Sequence, residues 1–341
     1  MSTATLTSGE RSILERSPLA RLPDRVLKYG LTALAALILA LIVYFFVRLV
    51  GESNPAFAHS GVLGFVFGND WNVSAEKFGA LPLLVGTLIT SALALLIGVP
   101  IAVAAALYAN ELCPLRLRTA LTVLVELLAA VPSVVYGLWG IFFLAPKLQP
   151  AEQWVADRLS FIPFIGGGTV TIPNYFIAGL ILAIMILPIV SAIAREVMAT
   201  VPADQKEAAL GLGATRWEMI RTAVLPYSRA GIVGGAMLGL GRAIGETIAV
   251  TIVIGDAPQL GQHLFGQGYS LAAVIANEFG EAQGLHRSAL FAAGLVLFVL
   301  TLLINALARV LVSRASRTRA SASSPPAAPA TPSIAGAVAG A

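Results

Sequence analysis

The chain has 341 residues, of which 57% are hydrophobic and 12% charged, with a formal net charge of +4. Soluble domains carry charge on roughly a quarter of their residues, so this composition excludes an ordinary soluble enzyme and reads as an integral membrane protein. The basic surplus calls for no nucleic-acid partner, because its placement follows the flanks of apolar runs.

An apolar run of about 20 residues is long enough to cross a bilayer core as a helix. In chain order such runs cover residues 31–50, 83–109, 119–144, 174–198, 228–254 and 288–312. The predicted fold is therefore all-α, with about six transmembrane helices in one membrane domain over residues 31–312. Residues 1–30 read as a polar tail, and the first run as a retained anchor rather than a cleaved signal. From residue 313 to 341 the chain is Arg/Ser-rich, then Ala/Pro/Ser-rich, a composition that predicts disorder. The N-terminal tail, the segments after the second and fourth runs and the C-terminal tail hold 16 of the 22 Lys and Arg residues. Arg48, Lys77, Lys147, Arg158 and Arg287 lie in the opposite loops, and Arg242 lies inside a run. Both termini and residues 199–227 are thus predicted to be cytoplasmic. The single Cys113 has no partner for an internal disulfide. His59, His263 and His286 lack metal-ligand spacing, so no metal or other cofactor is expected. Asp256, Glu278 and Glu281 read as solvated loop acids.

Pro100, Pro132 and Pro188 fall inside runs, where each removes a backbone donor and predicts a bend. At Pro132 a packing kink and a role in a pathway both remain open. Ser133 and Tyr136 follow it as hydroxyl donors, either lining a pathway or packing between helices. The fifth run carries Gly234, Gly235, Gly239, Gly241 and Gly245, small residues that allow close helix approach in lipid.

Between the fourth and fifth runs stands VPADQKEAALGLGATRWEMIRTAVLP. Asp204 with Glu207, and Thr215 with Glu218, have capping-box spacing, which predicts two short helices hinged at Gly211 to Gly213. Trp217, Ile220, Val224 and Leu225 would form one apolar face, with Pro226 limiting the second helix. Alone, such a loop also suits an amphipathic segment lying on the bilayer.

This segment resembles the EAA loop of ABC importer permeases at Glu207, Ala208, Ala209, Gly213, Leu225 and Pro226, with Ala223 where that family favours Ile. The segments LLAAVPSVVYGLWGIFF, ILPIVSAIAREV, LGLGRAIGETIAV and IANEF are similar to the PstC-type permeases of phosphate-specific importers. The resemblance implies a type I importer permease fold in a bacterial inner membrane. It also implies a loop that docks on a separate ATPase dimer, a related second permease subunit and an extracytoplasmic phosphate-binding protein. The chain's only lysines are Lys28, Lys77, Lys147 and Lys206, and none follows a glycine as a P-loop requires. ATP hydrolysis is therefore expected on a partner.

Arg242 stands in mid-run, where an arginine costs roughly 2.5 to 3.5 kcal/mol on translocon-based scales. Glu246 is one helical turn away and can pair with it. Either this is a structural ion pair, or the guanidinium meets the crossing anion while Glu246 limits its retention. Glu126 is a second intramembrane acid that partners Arg242, caps a pathway or snorkels out. A permease for another oxyanion, sulfate or molybdate, and an ATP-independent secondary transporter are the alternatives.

Overall fold

The computed structural model describes residues 22–162, 164–166, 168–260 and 263–320, so the expectations for residues 1–21 and 321–341 lie outside it. Helix α1 spans Leu22–Ser60 and begins nine residues ahead of the apolar run that defines it. The short α2 (Val62–Phe67) and a two-stranded hairpin, β1 (Trp71–Asn72) with β2 (Lys77–Phe78), lead into α3 (Leu81–Leu107). Helix α4 spans Leu115–Ala130, α5 Ser133–Trp139, α6 Ala145–Arg158 and α7 Tyr175–Ala199. Helices α8 (Ala203–Gly211) and α9 (Arg216–Met219) form the loop between spans. They are followed by α10 (Leu225–Gly245), α11 (Ile248–Ile254), α12 (Leu271–Glu278) and α13 (Gly284–Ala320). Among the described residues five helices are long and apolar enough to cross a membrane, or six if the bent pair of α4 with α5–α6 is one span.

The bundle is organised around α7, against which α3, α10 and α11 pack. Its Ile177, Ile181, Ile186 and Val190 are fully buried together with Val253 and Ile254 of α11. In lipid such contacts rest on close packing more than on the hydrophobic effect. Helix α1 lies along α13, where Phe46 and Phe298 meet with ring centroids 5.5 Å apart, and otherwise turns exposed aliphatic side chains outward. At the end of the bundle nearest the hairpin, Phe65, Trp71, Phe78, Leu83, Val274 and Leu290 form a second cluster. At the other end Met198, Met219, Ile220 and Val224 form a third, seating the α8–α9 loop on the membrane domain.

The three intramembrane prolines behave differently. Pro100 and Pro188 stay within unbroken α3 and α7. At Pro132 the chain turns by 91° between α4 and α5. Pro132 has no N–H to offer the Leu128 carbonyl four residues back, and the buried Tyr136 hydroxyl donates to that oxygen at 2.7 Å instead. Tyr136 thus helps to satisfy the exposed end of α4. Tyr136→Phe leaves that acceptor only the long 3.4 Å bond from the Val131 N–H and is expected to cost about 1 kcal/mol. A lowered melting temperature of the purified protein checks this, and an unchanged one would contradict it.

Gly137 and Gly140 are placed where α11 tucks against α5. A methyl group on Gly137 would stand 3.2 Å from the Ala249 Cα, a tight contact that α11 would have to yield to by a few tenths of an ångström. The fifth apolar run is accordingly not one helix over 228–254. It breaks at Glu246–Thr247, and the buried α11 continues in a separate course to Gly255, which takes φ 104°.

Candidate functional site

Helix α8 starts at Ala203 with Pro202 in the cap position, so Asp204 does not cap it as its spacing suggested. Asp204 instead occupies the first turn, where the helix dipole favours an acid. The second capping box is formed as expected. The Thr215 hydroxyl accepts from the Glu218 N–H at 3.3 Å, and the Glu218 carboxylate accepts from the Thr215 N–H at 2.8 Å.

Between these helices the EAA spacing has a structural cause. The Ala214 N–H donates to the Ala209 carbonyl at 3.2 Å, and the Gly213 N–H to the Leu210 carbonyl at 3.0 Å. This paired closure of a helix C-terminus requires a left-handed residue, and Gly213 supplies it at φ 87°. The glycine therefore stands four residues past Ala209 because the last turn of α8 is capped there. Gly211 is the final residue of α8 rather than part of the hinge. Lys206 pairs with Glu111 at 2.6 Å, tying α8 to the wide helical turn Tyr108–Leu112 that ends the α3 span.

The apolar residues of the loop divide in two. Ile220 and Val224 are buried in the third cluster with Leu225 packed against it, whereas Trp217 is 62% exposed and faces away, correcting its assignment to the same face. Leu212 at the tip is 90% exposed. Glu207 and Ala208 are exposed beside them and Ala209 is half-buried. The loop thus presents a surface of mixed apolar and acidic groups with no covering element among the described residues.

Pro226 does not stop the second helix. Helix α9 passes through a wide turn, Ile220–Val224, in which the Leu225 N–H reaches the Ile220 carbonyl, and runs directly into α10. Such widening accommodates the missing proline donor without a break. Residues Arg216–Gly245 are consequently one continuous 30-residue helical segment.

Arg242 lies in the last turn of α10, not in the middle of a span, and its side chain is exposed. A cation at this position is favoured by the helix dipole, by about 0.3–1 kcal/mol. The expected pair with Glu246 is absent, because the helix ends at Gly245 and Glu246 adopts extended backbone. The Glu246 carboxylate instead accepts from the Ala249 N–H at 3.5 Å, at the start of α11. Glu126 does not partner Arg242 either. Its carboxylate lies 3.4 Å from Nη2 of Arg195 on α7. Among the described residues Arg242 makes no ion pair. Ser133, partly buried, opens α5 beside the α4–α5 break. Gly241 and Gly245 adjoin Arg242 with open space where side chains would stand. The structure thus places Tyr136 and Ser133 at the α4–α5 break, leaves Arg242 exposed at the end of α10, and gives Glu126 and Glu246 other partners.

Of the outer acids, Glu278 is more embedded than the sequence suggests, while Asp256 and Glu281 are exposed as expected. The Glu278 carboxylate accepts from Trp71 Nε1 at 3.1 Å and meets His286 Nε2 at 2.8 Å, joining the hairpin, α12 and α13. Partial desolvation by its surroundings raises the Asp256 carboxyl above its usual range, against a hydrogen bond from Asn277 that lowers it.

The architecture is that of ABC importer permeases. A chain of a bacterial transporter that imports the acidic polysaccharide alginate superposes with a TM-score of 0.55 at 22% identity, covering 86% of this chain and 99% of that one. The same transporter in complex with an alginate pentasaccharide-bound periplasmic protein gives a TM-score of 0.58. Residues 98–317 match the family of binding-protein-dependent transport system inner membrane components. The phosphate transport system permease protein PstC of Pasteurella multocida is 47% identical over 78% of this chain and 84% of its own length. That of Mesorhizobium japonicum is 45% identical over 86% and 91%. PstC 2 of Mycobacterium tuberculosis is 39% identical over 91% and 98%. The chain belongs to the binding-protein-dependent inner membrane components and, within them, to the PstC-type permeases.

Proposed function

We propose that the chain is the permease subunit of an ATP-driven phosphate importer, forming half of the translocation path. The observation that carries this reading is the continuous segment Arg216–Gly245, which joins an exposed loop at one end to Arg242, without an ion partner among the described residues, at the other. The PstC relatives are phosphate transport permeases by name, and the guanidinium is a fixed cation whose fork matches a phosphate edge.

In this reading Glu207, Ala208, Ala209, Gly213, Leu225 and Pro226 shape the contact with a cassette ATPase dimer, with Leu212 and Trp217 as its apolar anchors. The open flank of α10 at Gly241, Arg242 and Gly245 faces a related second permease across the path. An extracytoplasmic phosphate-binding protein delivers the anion at the hairpin end, and the α8–α9 loop and both termini lie in the cytoplasm. ATP is hydrolysed on the partner. Ser133 and Tyr136 border the path, while Glu246 and Glu126 set the charge around it.

Membrane vesicles holding the assembled transporter test the substrate. ATP-dependent uptake of radiolabelled phosphate, resistant to excess sulfate and molybdate, is the expected result. Uptake that those oxyanions compete away would redirect the reading to another oxyanion, and uptake without ATP or a co-purifying ATPase would refute it.

A further inference from the structure

Arg195 was not among the candidate pathway residues, and the structure gives it a distinctive setting. It lies on α7 four residues before the helix ends, with its side chain only 20% exposed. A guanidinium carries five N–H donors. Among the described residues its one ionic contact is with Glu126 at 3.4 Å, longer than the about 2.7–2.9 Å of a strong charge-assisted bond. The Glu126 side chain is 61% exposed, so the acid comes to Arg195 from the open side.

The rest of the setting holds Arg195 in place. Asn110 Nδ2 donates to the Arg195 carbonyl at 2.7 Å, and Arg118 Nη2 in turn donates to Asn110 Oδ1 at 2.6 Å. The backbone is thus fixed from α4 and the end of the α3 span, while the charged head has a single loose partner among the described residues. Beside it is a cavity of about 90 Å3, bordered by Tyr108, Thr122 and Ser191 and by the small Ala105, Ala106 and Ala109. A water needs only about 10–15 Å3 on this measure, so the space admits several waters or one small tetrahedral oxyanion. Its apolar walls lower the local dielectric and strengthen attraction between the guanidinium and an anion.

Packing relates this cavity to Arg242. Gly235 lies against Ile193, and Gly239 against Val190 and Ile186, so α10 and α7 run in opposite directions. Arg195 is therefore about 12 Å nearer the α8–α9 loop than Arg242, at about 1.5 Å per helical residue. Beside Arg195, Glu126 stands two residues before Leu128 on α4, whose carbonyl the Tyr136 hydroxyl holds next to the α4–α5 break.

We propose that Arg195 is a second anion station on the loop side of Arg242, where the Glu126 carboxylate occupies the guanidinium until the transported oxyanion displaces it. The proposal rests on the phosphate-importer reading and adds an exit-side step to it. An anion leaving Arg242 meets a loosely neutralised cation, and return of Glu126 then releases it.

Uptake of inorganic phosphate by the reconstituted transporter tests this. Arg195→Gln is expected to lower uptake by about tenfold or more, and the double variant Arg195→Gln with Glu126→Gln to stay as low. A structural pair would tolerate two amides, so recovery of the double variant to within about twofold of wild type overturns the station. So does Arg195→Gln uptake within that same margin. Should Arg195→Gln fail to assemble, Glu126→Gln decides. It is expected to retain more phosphate on the detergent-solubilised complex and to turn over more slowly, and unchanged retention refutes the proposal. Absence of phosphate uptake by the wild-type transporter would overturn the substrate reading and the station together, whereas normal wild-type uptake with an unaffected Arg195→Gln removes the station alone.

Discussion

Replacing Arg242 by alanine is expected to abolish ATP-driven phosphate uptake while the complex still assembles. The side chain is exposed at the end of α10 and makes no ion pair among the described residues, so its removal leaves no buried carboxylate stranded. The loss falls on the anion alone. Truncating one partner of a desolvated charge pair costs about 2–5 kcal/mol, or roughly 30-fold to several thousand-fold in affinity. Arg242→Lys keeps the charge but gives up the planar fork, and an intermediate rate is expected. Radiolabelled uptake with co-purification of the partner subunits measures both effects. Near-normal uptake by Arg242→Ala in an intact complex would remove the anion site.

The second large effect is expected at Gly213. Its backbone at φ 87° closes α8 through the two reversed hydrogen bonds to Ala209 and Leu210. A side chain there costs about 1–2 kcal/mol of backbone strain. Open space surrounds the position, so a steric clash within the subunit does not contribute. Gly213→Val should therefore leave the bundle folded and re-aim α8 relative to α9, separating Glu207 from Leu212 and Trp217 as a docking surface. The expected outcome is ATP hydrolysis that no longer drives uptake, with phosphate transported per ATP falling several-fold. Glu207→Ala should fall in the same direction. Unchanged coupling in both variants would refute the assigned role of the loop.

How much of this was legible in the sequence depended on the range of the deciding interaction. The Thr215–Glu218 box is a contact between residues three apart, and its spacing alone announced it. The membrane runs were equally plain, because lipid forces each backbone group to find an intrahelical partner. Asp204 misled because Pro202 starts the helix earlier than the acid does. The Arg242–Glu246 pair presumed a helix that continues, and nothing in Gly245, Glu246 or Thr247 demands a break. That break follows from α11 being drawn against α5 and α7. Proline content could not separate Pro132 from Pro100 and Pro188, since the outcome at Pro132 also involves a tyrosine that serves the freed carbonyl. Arg195 was hidden for the same reason. Its acid is 69 residues away in the chain, and only the packing of α4 on α7 brings them together.

The uninterrupted course from Arg216 to Gly245 has a mechanical consequence. Thirty helical residues make a rod of about 45 Å. A tilt of about 10° at the loop end sweeps the far tip sideways by roughly 8 Å on that length, comparable to the spacing of packed helices. The tip ends within one turn of Arg242, and the helix is interrupted there at Glu246–Thr247, which gives the rod a joint to α11. A small rotation imposed on the loop is thereby magnified into displacement of a single charge.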